Sequence, residues 1–338
     1  MILVPAARRS HRNMHRRSWN GGGVLTLRPR PPLAADLTLQ RYRLWGEDPA
    51  NVYRGGAFYR VARVGTRPVP FRLEVAGPVA RPRVQVSFDG PGDRATRAAL
   101  RAEAGAILGT AWDLDGFYAH AAGDPVLGPL LRPLHGLRPT VATDAFEMLV
   151  GAIAAQQVNL PFAFATRARL VRRFGDPFQI DGVTVHTFPT PETVASADPA
   201  ELREMQFSTR KAEYIIGLAR AIAGGELDTA DLARRPDEAV IERLVQVRGL
   251  GVWTAEWFLA RGLGRPDVCP AGDLGVRRAV EAFCFRGRPS EPARVRRRAR
   301  AWRPYRTLAV HYLLAGLRLG RPSETLDANR RAGGGGGS

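Results

Sequence analysis

A chain of 338 residues, 45% apolar and 24% charged, is long enough for two or three domains and too well mixed to be a disordered polymer. No apolar run approaches the ~18 residues of a membrane span, and two cysteines, Cys269 and Cys284, exclude a disulfide framework and a four-thiolate metal site. The formal charge of +18, in which only Lys211 of 50 basic residues is lysine, asks for a polyanionic partner.

The charge is unevenly placed. Residues 1–30 hold seven arginines and no acid, with no apolar period. Residues 1–35 therefore read as a basic, disordered arm, a transit-like peptide or upstream sequence from a misassigned start. From Leu37 to Phe88 β-formers recur with period two, broken by turn signals such as Gly55-Gly56 and Gly77-Pro78. Strands are expected over 37–44, 57–64, 69–76 and 82–88, giving a small antiparallel β-rich domain over 36–92, closed by the DGPGD turn at Asp89 to Asp93.

From residue 93 onward the period switches to 3.6. Helices are expected at 93–108, 113–122, 143–156, 161–174, 198–206, 208–223, 237–247, 252–262, 273–284, 291–301 and 304–318, with prolines between them or at their starts. The fold class is α+β: the β-rich domain followed by an all-α body over 93–322. Within that body residues 286–306 hold nine arginines against Glu291. The tail, 323–338, ends in GGGGGS, which reads as an appended flexible linker.

The most informative stretch is 237–284. An amphipathic helix carrying Ile241, Leu244 and Val245 runs into Arg248-Gly249-Leu250-Gly251, and a second helix starts at Val252. Two glycines around one apolar residue permit a tight turn that exposes backbone N–H groups at the second helix's start. Such a helix–hairpin–helix grips one strand's phosphates without reading sequence. A dinucleotide-binding glycine turn fits poorly, because Thr254 stands where a third glycine belongs and a helix precedes the turn. A glycine-rich link between two core helices is the plainer structural alternative.

Asp273 opens the next helix after Pro270-Ala271-Gly272. As structure alone it is an N-cap, yet the helix's positive end also favours a negative charge there. A fixed anion beside a DNA-gripping hairpin suits N-glycosidic cleavage, whose sugar becomes oxocarbenium-like and needs both charge stabilisation and an oriented water. Asp267 is the competing carboxylate in the connection. Trp253 and Trp257, four residues apart, share a helical face, and an indole face attracts a cationic alkylated purine by about 0.5–2 kcal/mol.

The hairpin RGLGVWTAEWF followed by DVCPAGDLGVRRAV resembles the helix–hairpin–helix DNA glycosylases, and within them the 3-methyladenine DNA glycosylase II family. The blocks IAAQQVN (153–159), FSTRKAEYIIGLARAI (207–222) and WRPYRTLAVHYLL (302–314) agree in order, so the resemblance covers about residues 36–320. It implies a monofunctional hydrolase that flips alkylated purines such as 3-methyladenine and 7-methylguanine out of damaged double-stranded DNA. By position, Asp273 is the catalytic aspartate, and Trp253 stands where lyase members carry a nucleophilic lysine. Trp253, Trp257, Trp302 and Gln156 would line the base pocket, Trp257 at a place commonly held by tyrosine. Gln157 would be the DNA wedge, where the best-known relative has leucine. Arg248, Gly249, Leu250 and Gly251 would contact phosphates, and the carbonyls of Val245, Val247 and Leu250 would hold a structural monovalent cation.

The resemblance also implies no required cofactor, no iron–sulfur cluster, no membrane partner, and a monomer in the bacterial cytoplasm at the nucleoid. His311 and Tyr312 carry no role in this reading. The alternatives are the same fold acting on hypoxanthine or uracil, and a non-catalytic helix–hairpin–helix DNA-binding protein.

Overall fold

The structure, a computed structural model, describes Trp19 and residues 21–320. The arginine-rich stretch before Trp19 and the tail with its GGGGGS end lie outside the described residues.

Five antiparallel strands form one sheet in the order β1-β5-β4-β3-β2, with β1 Gly23–Leu27, β2 Val52–Arg54, β3 Ala57–Val64, β4 Arg67–Ala76 and β5 Arg83–Phe88. Gly55 and Gly56, both at positive φ, make the two-residue β2–β3 turn, and Gly65 leads the β3–β4 turn. Val69, Phe71 and Leu73 alternate inward with Val84, Val86 and Phe88. Helix α3 (Arg94–Ile107), capped by Asp93 accepting from Thr96 N–H at 2.7 Å, seals that face with Leu100, Ala104 and Ile107.

Three expectations change here. The segment 37–44 is not a strand but the short helices α1 (Ala35–Leu39) and α2 (Arg41–Leu44), whose buried Thr38 and Leu39 are adjacent rather than alternating. The sheet's first strand is instead β1, inside the 1–35 segment read as a disordered arm; Leu25 buries against the sheet's core and the strand's backbone pairs with β5. Finally, α3 packs on the sheet, so the expected boundary at residue 92 falls between two parts of one core.

The body contains α4 (Leu114–Ala121), α5 (Gly128–Leu131), α6 (Ala145–Ala155) and α7 (Leu160–Phe174). It then departs from an all-α pattern. The hairpin β6 (Pro177–Ile180) and β7 (Val183–His186) turns at Asp181-Gly182, both at positive φ, and lays Ile180 and Val185 against Ala57, Tyr59 and Val61 on the sheet's second face. After it come α8 (Pro191–Ala195), α9 (Pro199–Glu204), α10 (Thr209–Ala223), α11 (Thr229–Leu232), α12 (Asp237–Val245), α13 (Val252–Trp257), α14 (Leu274–Cys284), α15 (Pro292–Ala299) and α16 (Arg306–Arg318). Two helical cores result, one around α6, α7, α10 and α12, the other around α4, α14 and α16, and Trp257 touches both.

The sheet and the body are joined by buried charge. Arg60 of β3 bonds Glu147 of α6 (2.9 Å), Glu103 of α3 (3.1 Å) and Asn51 (2.6 Å), while Arg167 of α7 bonds Glu147 (2.6 Å) and Asp48 (2.5 Å). Burial opposes the Glu147 charge, but Arg60 and Arg167 outweigh it and hold the carboxyl below its usual range.

Candidate active site

Helix α12 ends at Val245, and Val247 to Gly251 turn the chain into α13. Leu250 is buried and its N–H returns to the Val247 carbonyl at 3.0 Å. Gly249 sits at φ +94°, where a Cβ would meet Tyr214 Cγ at 2.2 Å, so only glycine fits. Gly251 caps α13 with open space around it. Among the described residues nothing takes the Gly249 and Gly251 N–H groups, which leaves them available for a phosphate, while the Gly249 carbonyl is occupied by the Gln156 amide. Arg248 stands exposed beside it, bonded to Glu213 at 3.0 Å and over the Tyr214 ring, a surface pair weak enough to exchange for a phosphate.

Asp273 is half-buried at the start of α14. Its Oδ1 accepts the Val276 N–H at 2.9 Å, which is the cap. Its Oδ2 accepts the indole N–H of Trp253 at 2.8 Å and that of Trp257 at 3.2 Å. The two tryptophans therefore meet Asp273 through their N–H edges and fix the carboxylate's rotamer, a role different from the cation-binding faces expected of them. Asp267 is spent elsewhere: it accepts from Arg303 (2.9 Å) and Arg306 (2.6 Å), which hold its carboxyl low against the opposing effect of burial.

A small pocket of about 150 Å³ lies on the other side of Trp257, lined by that ring but not by Asp273 itself. Trp257 is common to both, its ring edge-to-face with His311 at 5.8 Å, and Leu314 of the pocket wall reaches to 3.6 Å of a Cβ built on Gly275. Leu37, Arg41 and Trp45 come from the sheet domain, Leu160 and Phe164 from α7, and His311, Leu314 and Arg318 from α16. Past Trp257 the helix widens into a π-turn over Phe258–Gly262 that delivers Arg261 to the same wall.

Trp302 is not in this pocket. It is fully buried in the second helical core, and its N–H donates to Asp124 at 3.2 Å. Gln156 is also displaced from the expected place: its amide donates to the Gly249 carbonyl at 2.8 Å and it lines a larger cleft of about 710 Å³ beside the hairpin. Gln157, exposed and at φ +54°, is the tip of the turn between α6 and α7. Lys211 steadies this turn, donating Nζ–H to the Ala154 carbonyl at 2.9 Å near the C-terminus of α6. Among the described residues, six of the ten exposed large apolar ones (Val158, Leu160, Phe162, Val245, Val252 and Leu274) belong to the start of α7 and the turn before it, the hairpin or the step after Asp273, as on a binding face. Burial pushes the Cys269 thiol up to about 12 and Cys284 up to about 11, so neither is poised as a nucleophile.

The fold and site define a helix–hairpin–helix protein with a carboxylate anchored beside its hairpin. A family model described as HhH-GPD superfamily base excision DNA repair protein matches residues 150–304. The chain is 33% identical over 173 residues to DNA-3-methyladenine glycosylase 1 of Schizosaccharomyces pombe, covering 50% of this chain and 71% of that one. It is 32% identical over 201 residues to a Bacillus subtilis DNA-3-methyladenine glycosylase, covering 60% of this chain and 66% of the relative, just under two thirds of its length. The solved 3-methyladenine DNA-glycosylase of Archaeoglobus fulgidus superposes with a TM-score of 0.77 at 28% identity, over 87% of this chain and 98% of that one. The chain belongs to the HhH-GPD superfamily of base excision DNA repair proteins.

Proposed function

We propose that the protein is a DNA glycosylase that flips an alkylated purine, such as 3-methyladenine or 7-methylguanine, from double-stranded DNA and hydrolyses its N-glycosidic bond. The observation that carries this is Asp273 Oδ2, held by the indole N–H groups of Trp253 and Trp257 two short connections from the hairpin, with Trp257 also walling a base-sized pocket. The names of the relatives support the lesion class.

The Gly249 and Gly251 amides and the Arg248 guanidinium would take the phosphates, while the Leu250 N–H expected to join them is held by the Val247 carbonyl. Gln157 would fill the gap left by the flipped base, whose unstacking costs a few kcal/mol. As the glycosidic bond lengthens, Asp273 stabilises the positive sugar and orients the attacking water. A lesion already carrying positive charge departs without a general acid.

Trp253 occupies the lyase-lysine place, and Lys211 is engaged at Ala154, so hydrolysis without strand cleavage is expected. The carbonyls of Val245, Val247 and Leu250 are uncharged oxygens at one turn, a donor set suited to a monovalent cation rather than a divalent one. Such a cation would supply positive charge for a phosphate. The protein would act as a monomer at the nucleoid, and no helix among the described residues is long and apolar enough to cross a membrane. Incubating the protein with duplexes that each carry one damaged base tests the reading: released alkylated purine and an alkali-labile but uncleaved strand are expected. Release of no base would contradict it.

A further inference from the structure

The pocket walled by Trp257, whose indole N–H bonds Asp273, is unexpectedly rich in positive charge. Arg41 of α2, Arg261 of the π-turn and Arg318 near the end of α16 share its wall with Trp257, His311 and Leu314. Arginines elsewhere pair with carboxylates, Arg60, Arg167 and Arg306 among them. Among the described residues no carboxylate pairs with Arg41, Arg261 or Arg318, and Arg41 has only the Thr140 hydroxyl at 2.7 Å as a side-chain hydrogen-bond acceptor. Desolvation by the pocket wall and the Arg41 charge together push the Arg318 guanidinium down although the residue as a whole stays open to solvent, so two like charges face one space.

His311 adds direction. Its Nδ1 lies 2.8 Å from the Thr307 carbonyl, which can only accept, so Nδ1 carries the proton. Burial, with Arg41 and Arg318 nearby, holds the ring down at about 4 against the pull of the Thr307 bond, leaving it neutral with Nε2 as an acceptor. The wall thus offers guanidinium donors beside one acceptor. That set complements a purine with a carbonyl at C6 and an N–H at N1, the edge arginine reads through O6 and N7.

We infer that Arg41 and Arg318 are specificity-determining residues that read the 6-oxo edge of the flipped purine and hold the electron pair on the base as it leaves. The inference rests on the glycosylase reading above. With neutral hypoxanthine, the C1′–N9 bond breaks and its electron pair departs with the base as an anion. Guanidinium N–H groups at O6 and N7 stabilise that charge. Water's oxygen bonds to C1′, one of its protons passes through Asp273 to solvent, and the purine anion takes up a proton from solvent. The net reaction consumes one water and gives an abasic site and a neutral base. With 3-methyladenine the base enters as a cation, leaves neutral and has no carbonyl, so the arginines have no O6 to bond and make no hydrogen bond to it that strengthens in the transition state.

Single-turnover release from duplexes carrying hypoxanthine or 3-methyladenine, each divided by its spontaneous loss, tests this with the full chain and its Arg318→Met and Arg41→Met variants. Arg318 is exposed near a helix end, so that variant is expected to fold even if Arg41→Met does not. Each folded variant should lose about tenfold to a hundredfold of the hypoxanthine acceleration while 3-methyladenine changes by less than about threefold. Equal losses on both bases, no loss on either, or wild-type release of 3-methyladenine without hypoxanthine would overturn the inference and leave the glycosylase reading standing. Release of neither base by the wild type would overturn both, through the glycosylase reading first.

Discussion

Asp273 has three N–H partners, and two of them are indoles that a sequence reader would assign to π-stacking. The aspartate's place at a helix start was legible after Pro270-Ala271-Gly272, and its cap to Val276 is the use that position alone predicts. The edges of Trp253 and Trp257 were not legible, since i, i+4 spacing places two rings on a face without saying which atoms point where. Trp253→Phe separates the readings: it keeps an aromatic face and removes the 2.8 Å donor. A hydrogen bond to a charged group is worth about 1.5–3 kcal/mol, so single-turnover excision should fall about tenfold to a hundredfold. An unchanged rate would return the ring to stacking alone. Trp302 shows the opposite failure. Its residue type suited a pocket, but its side chain is wholly inside the core, bonded to Asp124.

At the scale of elements, the hairpin was readable because its glycines are obligatory. Gly249→Ala would place a methyl group against the Tyr214 ring at a positive φ, costing about 1–3 kcal/mol of strain. Urea unfolding should show that loss, and DNA affinity should drop with it; a variant as stable and as tight as wild type would mean the turn is less constrained than described. The β6–β7 hairpin was equally legible in principle, since Asp181-Gly182 between β-formers is a strong two-residue turn signal, but a dominant helical period on both sides concealed it. The 37–44 segment misled in the other direction. LTLQRYRL satisfies a period of two, yet as helices it packs Leu39 and Tyr42 into the sheet's core and turns Leu37 and Arg41 toward the body and the pocket. A pocket wall assembled from α2, α7 and α16 has no local signature, which is why His311 and Arg318 carried no role when read from sequence.

Over the whole molecule, the excess of arginine divides into internal and external work. Of the nine arginines in 286–306, Arg296, Arg298, Arg303 and Arg306 bond Glu256, Asp124 and Asp267, so much of that run fastens α15 and α16 to the body. Composition announced the charge but not its partners. The junction between sheet and body depends on Glu147 between Arg60 and Arg167. Glu147→Gln should cost about 3–5 kcal/mol at neutral pH, because it leaves buried guanidinium groups short of an anion. The folded carboxyl is held below its ordinary value of 4.5, so its contribution is fully present above that pH and fades as pH falls toward the lower folded value. Denaturation curves of wild type and variant should therefore converge as pH drops below 4.5. A gap that stays constant with pH would show that Glu147 is not held as an anion by its arginines.

The central claim is that Asp273 performs the chemistry while the hairpin performs the binding, and Asp273→Asn tests it most directly. Asn keeps one oxygen to cap Val276, but it turns an NH2 donor toward the indole N–H groups and removes the charge; the cap retained, the fold and the affinity for a damaged duplex should persist. Single-turnover base release should fall by about 10²–10³, the loss of one well-placed electrostatic partner of the transition state. Release at a near wild-type rate by a folded, DNA-binding variant would contradict the account.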